Sequence, residues 1–333
     1  LPVFPANNRT MTSNPIIWSP DASRVQSSAM HRFMRRQGFD DYGSLYQWSV
    51  EHAPAFWEAV CEFCGVKFSK APTRTLDRCD SIVDATWFEG SQLNYAANLL
   101  RHDDDDLALI FSGEMGMRRE MSHSELRGEV AAIAAALKAA GVARGDRVAG
   151  FLPNCPEAVI AMLAAASIGA IWSSCSPDFG VTGVVDRFGQ IQPKVLFATN
   201  GYFYNGKTID TRDVVAAVVQ EIPEIECVVG VPFVSRLPDV STTRSTATWS
   251  NFGRADSPLA FAAVDFDHPL SIMFSSGTTG VPKCIVHGHG GTIVQHMKEH
   301  VLHTDVSADD RMFFFTTCGW MMWNWLVSGL ATG

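Results

Sequence analysis

Ser275, Ser276, Gly277, Thr278, Thr279 and Gly280 stand in one run, and Val281, Pro282 and Lys283 follow it. Glycines and small hydroxyl residues let several backbone N–H and side-chain O–H groups converge on one anion, because nothing bulky blocks its approach. Lys283 adds a positive charge at one end. The chemistry this suits is the grip of a phosphate chain. An apolar stretch, 270–274, leads into the run, and the alternation of 284–287 reads as a second strand, so the loop is expected to join two strands. A Walker A loop differs, since it opens a helix and borrows that helix's N-terminus for its anion. The plainer alternative is a flexible turn with an exposed lysine. The flanking strands and the Pro-Lys closure favour phosphate.

A competing motif lies at 201–208, GYFYNGKT, which fits the literal pattern G-x-x-x-x-G-K-[ST]. Taken alone it describes a P-loop ATPase or nucleotide switch. Tyr202, Phe203 and Tyr204 leave little room for a backbone cradle, and 228–230 ends in no aspartate suited to magnesium. His296 and His300, four apart, share a helix face with metal-binding spacing. No carboxylate or cysteine completes a ligand set there and Lys298 intervenes, so a solvated polar face and no metal site are expected. Cys61 and Cys64 form a lone C-x-x-C, read as packing. The run 318–325, CGWMMWNW, is rich enough in rings and thioethers to be plain core. Asn324 and the indole N–H groups nevertheless need partners, and an apolar wall with a few donors is what a short polar organic acid requires.

The elements that must position these residues alternate from residue 107 onward. Short β-rich runs at 107–111, 147–152, 170–174, 194–199 and 227–231 are separated by helical patterns at 122–140, 156–168 and 210–220. Ser122 with Glu125 spells a capping box, and Gly141 sits where a helix-ending glycine belongs. The expected fold class is α/β, mixed sheets layered with helices. Such sheets bind ligands beyond the carboxyl ends of their strands. Residues 1–103, aromatic and broken into short helical patterns, read as a segment wrapped on the rest. The carboxylate run at 103–106 marks the boundary, and 104–333 is the main unit. The stretch 235–258 reads as a surface connection.

The balance of 35 acidic to 26 basic residues, net −9, offers no global attraction for nucleic acid or an anionic membrane. Eight cysteines in 333 residues are far below disulfide-scaffold density, which fits reduced thiols in a cytoplasm. No signal peptide is visible at the start. The uncharged run 312–333 is long enough to raise a membrane anchor. Thr316, Thr317, Gly319, Asn324 and Ser328 argue for a buried strand and helix in a shortened chain instead.

Residues 275–283, SSGTTGVPK, resemble the adenylation signature of the adenylate-forming acyl-CoA synthetases. WSVEHAPAFWEAV (48–60) and WFEGSQLNYAANLL (87–100) resemble the N-terminal segment of that superfamily's short-chain branch. Residues 282–303 together with 316–333 are similar to the members of the branch that act on acetoacetate. The resemblance implies the first part of the large adenylating domain and a two-step reaction. A carboxylate attacks the α-phosphorus of MgATP to give an acyl-adenylate and pyrophosphate, and the CoA thiol then displaces AMP. It implies that Ser275, Ser276, Gly277, Thr278, Thr279, Gly280 and Lys283 enclose the β- and γ-phosphates. Trp320, Met321, Met322, Trp323 and Asn324 would wall the acyl pocket, with the donors of Trp323 and Asn324 near the 3-keto oxygen. Lys207 matches a basic CoA-phosphate contact, while Tyr204 stands where a second one is usual. The catalytic lysine, the acidic magnesium ligand and the ribose-binding aspartate are expected beyond Gly333, so the 333 residues alone are expected to be inactive. Acetyl- or propionyl-CoA synthesis is the neighbouring alternative.

Overall fold

The computed structural model describes residues 16–77, 81, 83–235, 242–253, 258–275 and 280–333. Its centre is a seven-stranded sheet built from β1 (Arg147–Phe151), β2 (Ile171–Cys175), β3 (Val195–Thr199), β4 (Cys227–Val231), β5 (Ser245–Thr248), β6 (Pro269–Phe274) and β7 (Cys284–Gly288). The order across the sheet is β5-β4-β3-β1-β2-β6-β7, parallel throughout except for the β6–β7 pair. The inner strands β1 to β4 are buried almost throughout because both sides of the sheet are covered there. Successive side chains of β3 fall alternately into two cores: Val195 and Phe197 into one, Leu196 and Ala198 into the other.

The helices divide between those faces. α1 (His123–Ala139) and α2 (Pro156–Ser167) pack on the first, α3 (Val181–Ile191) and α4 (Arg212–Glu221) on the second. α1 carries the expected capping box, and Gly141 adopts φ +79° just past its end. α2 is buried all round except at Glu157, as a helix apolar on every face must be. Because β1 continues outward through β2 on one side and β3 on the other, the strand order reverses between β1 and β2. In open sheets of this kind ligands bind beyond the carboxyl ends of the two strands at such a reversal.

The N-terminal aromatics belong to the first core. Phe33 meets Phe63 edge-on at 5.3 Å, and Phe88 stacks on Phe266 at 4.7 Å. The strands Phe68–Lys70, Gln92–Leu93 and Val264–Asp265 form a small sheet that ties this segment to the chain just before β6.

Three expectations need correction. The run at 107–111 is a strand (Leu107–Ser112), but it pairs with Arg118–Ser122 in a separate hairpin. The charge-rich return strand hid that hairpin from an apolar pattern, and its left-handed turn at Met115 and Gly116 carries little signal. Within 235–258, Ser245–Thr248 is a sheet strand and Trp249–Phe252 a short helix whose rings pack on Phe197. Residues 312–317 form no strand, since no neighbouring strand offers them hydrogen bonds, and Phe313 and Phe315 are 81% and 89% exposed. Among the described residues no helix is long and apolar enough to cross a membrane.

Candidate active site

The β6–β7 hairpin brings the phosphate-binding candidates to the carboxyl end of the sheet, because β6 runs parallel to β2. Its last cross-strand pair is Phe274 with Cys284. Beyond it the Ser275 N–H donates to the Lys283 carbonyl at 3.0 Å, and the Lys283 N–H donates to Ser275 Oγ at 3.3 Å. The expected strand–loop–strand arrangement is therefore present, closed at its neck by the residues that begin and end it. Ser276, Gly277, Thr278 and Thr279 lie outside the described residues. Gly280 adopts φ +95°, a backbone state that side chains disfavour. Lys283 is exposed, and among the described residues its amine pairs with no carboxylate.

The aromatic run sits against the same edge. Residues 318–320 lie over the ends of β1 and β2, where Ser174 Oγ donates to the Cys318 carbonyl at 2.6 Å and Cys318 Sγ approaches the Pro153 carbonyl at 3.3 Å. Trp320 then begins α6 (Met321–Ser328). Trp320 and Met321 are 67% and 45% exposed, Met322 is half-buried, and Trp323 and Asn324 are buried. The Trp323 indole N–H donates to Asn154 Oδ1 at 2.9 Å, so it is not a free donor, which corrects its expected role toward a keto oxygen. Asn324 Nδ2 reaches Met273 Sδ at 3.2 Å, while its Oδ1 is buried without a partner among the described residues. A thioether is a weak acceptor, so this amide is under-satisfied. The Asn324–Met273 contact joins α6 to the strand that feeds the loop.

Two buried histidines hold α6 in place. His296, on α5 (His289–Met297), and His300, on the π-helical turn Lys298–His303, lie 2.9 and 3.0 Å from Ser328 Oγ. His300 Nε2 also reaches the Trp325 carbonyl at 2.9 Å. The solvated face expected for this pair is thus wrong. The missing signal was α6, which comes more than twenty residues later and covers it. Burial drives the His296 pKa down to about 3 and lowers that of His300. His289, wholly buried, accepts the Tyr95 N–H on Nδ1 at 3.1 Å, and its pKa also falls to about 3 through burial. Among the described residues no group of three His, Cys, Asp or Glu side chains could hold a metal. Cys61 and Cys64 are buried, with thiols pushed by burial up to about 12, consistent with packing.

The Walker-like stretch folds otherwise. Gly201–Tyr204 and Lys207–Asp210 are antiparallel strands joined by Asn205 and Gly206, both with positive φ, as a tight hairpin turn requires. The two turn amides donate to the carboxylate of Glu114, at 3.1 and 2.8 Å. Lys207 and Tyr204 are exposed beside them. Sequence reasoning missed Glu114, Asn154, Ser174 and Met273. Each acts through a partner dozens of residues away, and only Asn154, just past the end of a strand, stood at a recognisable position.

A donor-rich hairpin beside an apolar wall, set at a strand-order reversal, agrees with the family comparisons. Residues 96–333 match the family model of AMP-binding enzymes, and 42–99 match that of the acetyl-coenzyme A synthetase N-terminus. The chain belongs to the AMP-binding enzyme family. Acetoacetyl-CoA synthetase of Danio rerio is 43% identical over 343 residues, covering 98% of this chain and 51% of the relative. Its counterpart in Macaca fascicularis is 46% identical over 334 residues, 96% of this chain and 49% of the relative. The solved acetoacetyl-CoA synthetase from Streptomyces lividans matches with a TM-score of 0.90 and 43% identity, over 95% of this chain and 50% of that one. The chain spans about half the length of the relatives it matches.

Proposed function

We propose that the protein to which these residues belong is an AMP-forming ligase that joins acetoacetate to coenzyme A. The observation that carries this reading is the neck-closed β6–β7 hairpin, whose Lys283 pairs with no carboxylate among the described residues, near the start of α6 with Trp320, Met321 and Met322. Ser275 to Gly280, with Lys283, would take the β- and γ-phosphates of ATP. The acetoacetate carboxylate then attacks the α-phosphorus and pyrophosphate leaves. In a second step the CoA thiol attacks the acyl carbon and AMP leaves. The chain's own contribution is to hold the triphosphate in line and to oppose the charge gathering on the departing oxygens. Magnesium on the nucleotide would share that charge, but the described residues supply no ligand set for it.

Asn324, under-satisfied on α6, is the polar group available to a 3-keto acid on this reading, and Trp323 fixes the helix through Asn154. Lys207 is the proposed contact to a CoA phosphate. That contact would run through the lysine side chain, because Glu114 already holds the adjoining turn amides. The partners are small molecules, with no nucleic acid or membrane among them, and the location is cytoplasmic. Calorimetric titration with ATP tests the phosphate assignment. Lys283→Ala should weaken binding about ten- to a hundredfold, the range of a charged hydrogen bond, while Lys207→Ala leaves it within about twofold. The reverse pattern would favour a P-loop switch at 201–208.

A further inference from the structure

Helix α3 touches both stems of the β6–β7 hairpin, from residues one turn apart. Gln190 Nε2 donates to the Pro282 carbonyl at 2.8 Å, and the Cys284 thiol lies 3.7 Å from Gln190 Oε1. On the same face Arg187 sets its guanidinium 4.4 Å from the Phe179 ring and 5.9 Å from the ring of Phe274. Phe274 and Cys284 are the hairpin's last cross-strand pair, so the helix holds one member through each residue. Both side chains are pre-set by their own helix. Arg187 donates to the Gly183 carbonyl at 2.7 Å, and Gln190 donates to that of Asp186 at 2.6 Å. An exposed glutamine bridging residues 92 and 94 positions away is more than surface decoration. It fixes the carbonyl immediately before Lys283.

We propose that Arg187 and Gln190 are positioning residues that set the height and spacing of the hairpin stems, and through them the reach of Lys283 and Ser275. Neither touches the nucleotide. The proposal rests on the reading that this loop takes the triphosphate, and it assigns the affinity of that site partly to a helix of the second core, against which Phe274 packs. Stems held in place before binding leave less to be ordered when the anion arrives.

Cys284 is an exposed thiol and reports on the stem directly. The experiment uses the protein of full length and compares the unaltered chain with Gln190→Met, which keeps the length without the amide, Gln190→Ala, and Arg187→Lys. Iodoacetamide labelling of Cys284, read by peptide mass spectrometry, and tryptic cleavage after Lys283 are followed without nucleotide and again with MgATP. Both Gln190 variants should raise labelling and cleavage about two- to tenfold, the range of one neutral hydrogen bond, and weaken MgATP protection by a similar factor. Their melting temperatures should stay near that of the unaltered chain, because Gln190 lies outside both cores. Arg187→Lys, which loses the planar stack but keeps the charge, should show the same direction with a smaller change. Unchanged labelling and cleavage in both Gln190 variants would overturn the proposal. Failure of MgATP to protect Cys284 in the unaltered chain would overturn the triphosphate reading instead, while faster labelling in the variants would still support the stem anchor.

Discussion

Two bends in this molecule are spelled for phosphate and lie in hairpins, yet they differ in what already occupies their donors. At 201–208 the strands are joined by two residues, and the turn amides are spent on the carboxylate of Glu114. At 275–283 the loop is long, its neck is closed by its first and last residues, and among the described residues the lysine pairs with no carboxylate. The first bend leads out from the end of β3 into solvent, whereas the second follows the carboxyl end of β6, which runs parallel to β2. A glycine-lysine spelling therefore carries less information than where the sheet delivers it and what already occupies its donors.

The largest effect expected is on stability in acid, and it separates the two bends. His289 and His296, on the helix that follows the second hairpin's return strand, have folded pKa values of about 3 against about 6.5 when unfolded. Their depressed values mean that the unfolded chain takes up protons first. Stability is complete above about pH 6.5 and is lost as pH falls toward 3, by roughly 2 kcal/mol per histidine at pH 5. Urea unfolding at pH 7 and pH 5 measures the loss. Hydrogen exchange should show amides of 284–300 losing protection before those of 201–210, and simultaneous loss would remove the distinction. Next comes ATP affinity, where Lys283→Ala and Lys207→Ala should diverge by about tenfold or more.

Smaller effects sharpen the picture. In the protein of full length, Asn324→Ala should shift the ratio of kcat/KM for acetoacetate over acetate by about tenfold, near one hydrogen bond in the transition state. An unchanged ratio would remove Asn324 from the acyl pocket. Glu114→Gln should cost about 1 kcal/mol of stability by weakening its bonds to the turn amides, with no change in ATP affinity. Thermal melting and the same titration check both halves of that expectation. Weaker ATP binding in Glu114→Gln would mean that the first bend reaches the nucleotide after all.

Much of this was legible locally. The capping box of Ser122 and Glu125, the apolar strands and the two-strand setting of the loop follow from neighbours within a few residues. What escaped depends on distant chain. His296 and His300 look like a polar helix face until Ser328 and Trp325 arrive from α6. Trp323 looks like a free donor until Asn154 takes its N–H. The strand Ser245–Thr248 has little apolar character because it lies at the sheet edge, where a parallel neighbour on one side suffices.

By itself the sequence determined the α/β class, the donor-rich loop and the family, since periodicity, caps and small-residue runs act over short stretches of chain. Only the tertiary structure decided which bend already has its amides taken by a carboxylate, which histidines are dry and which indole is already bonded. Burial and hydrogen-bond partnership come from residues brought together by the sheet's strand order, and no local pattern encodes that order.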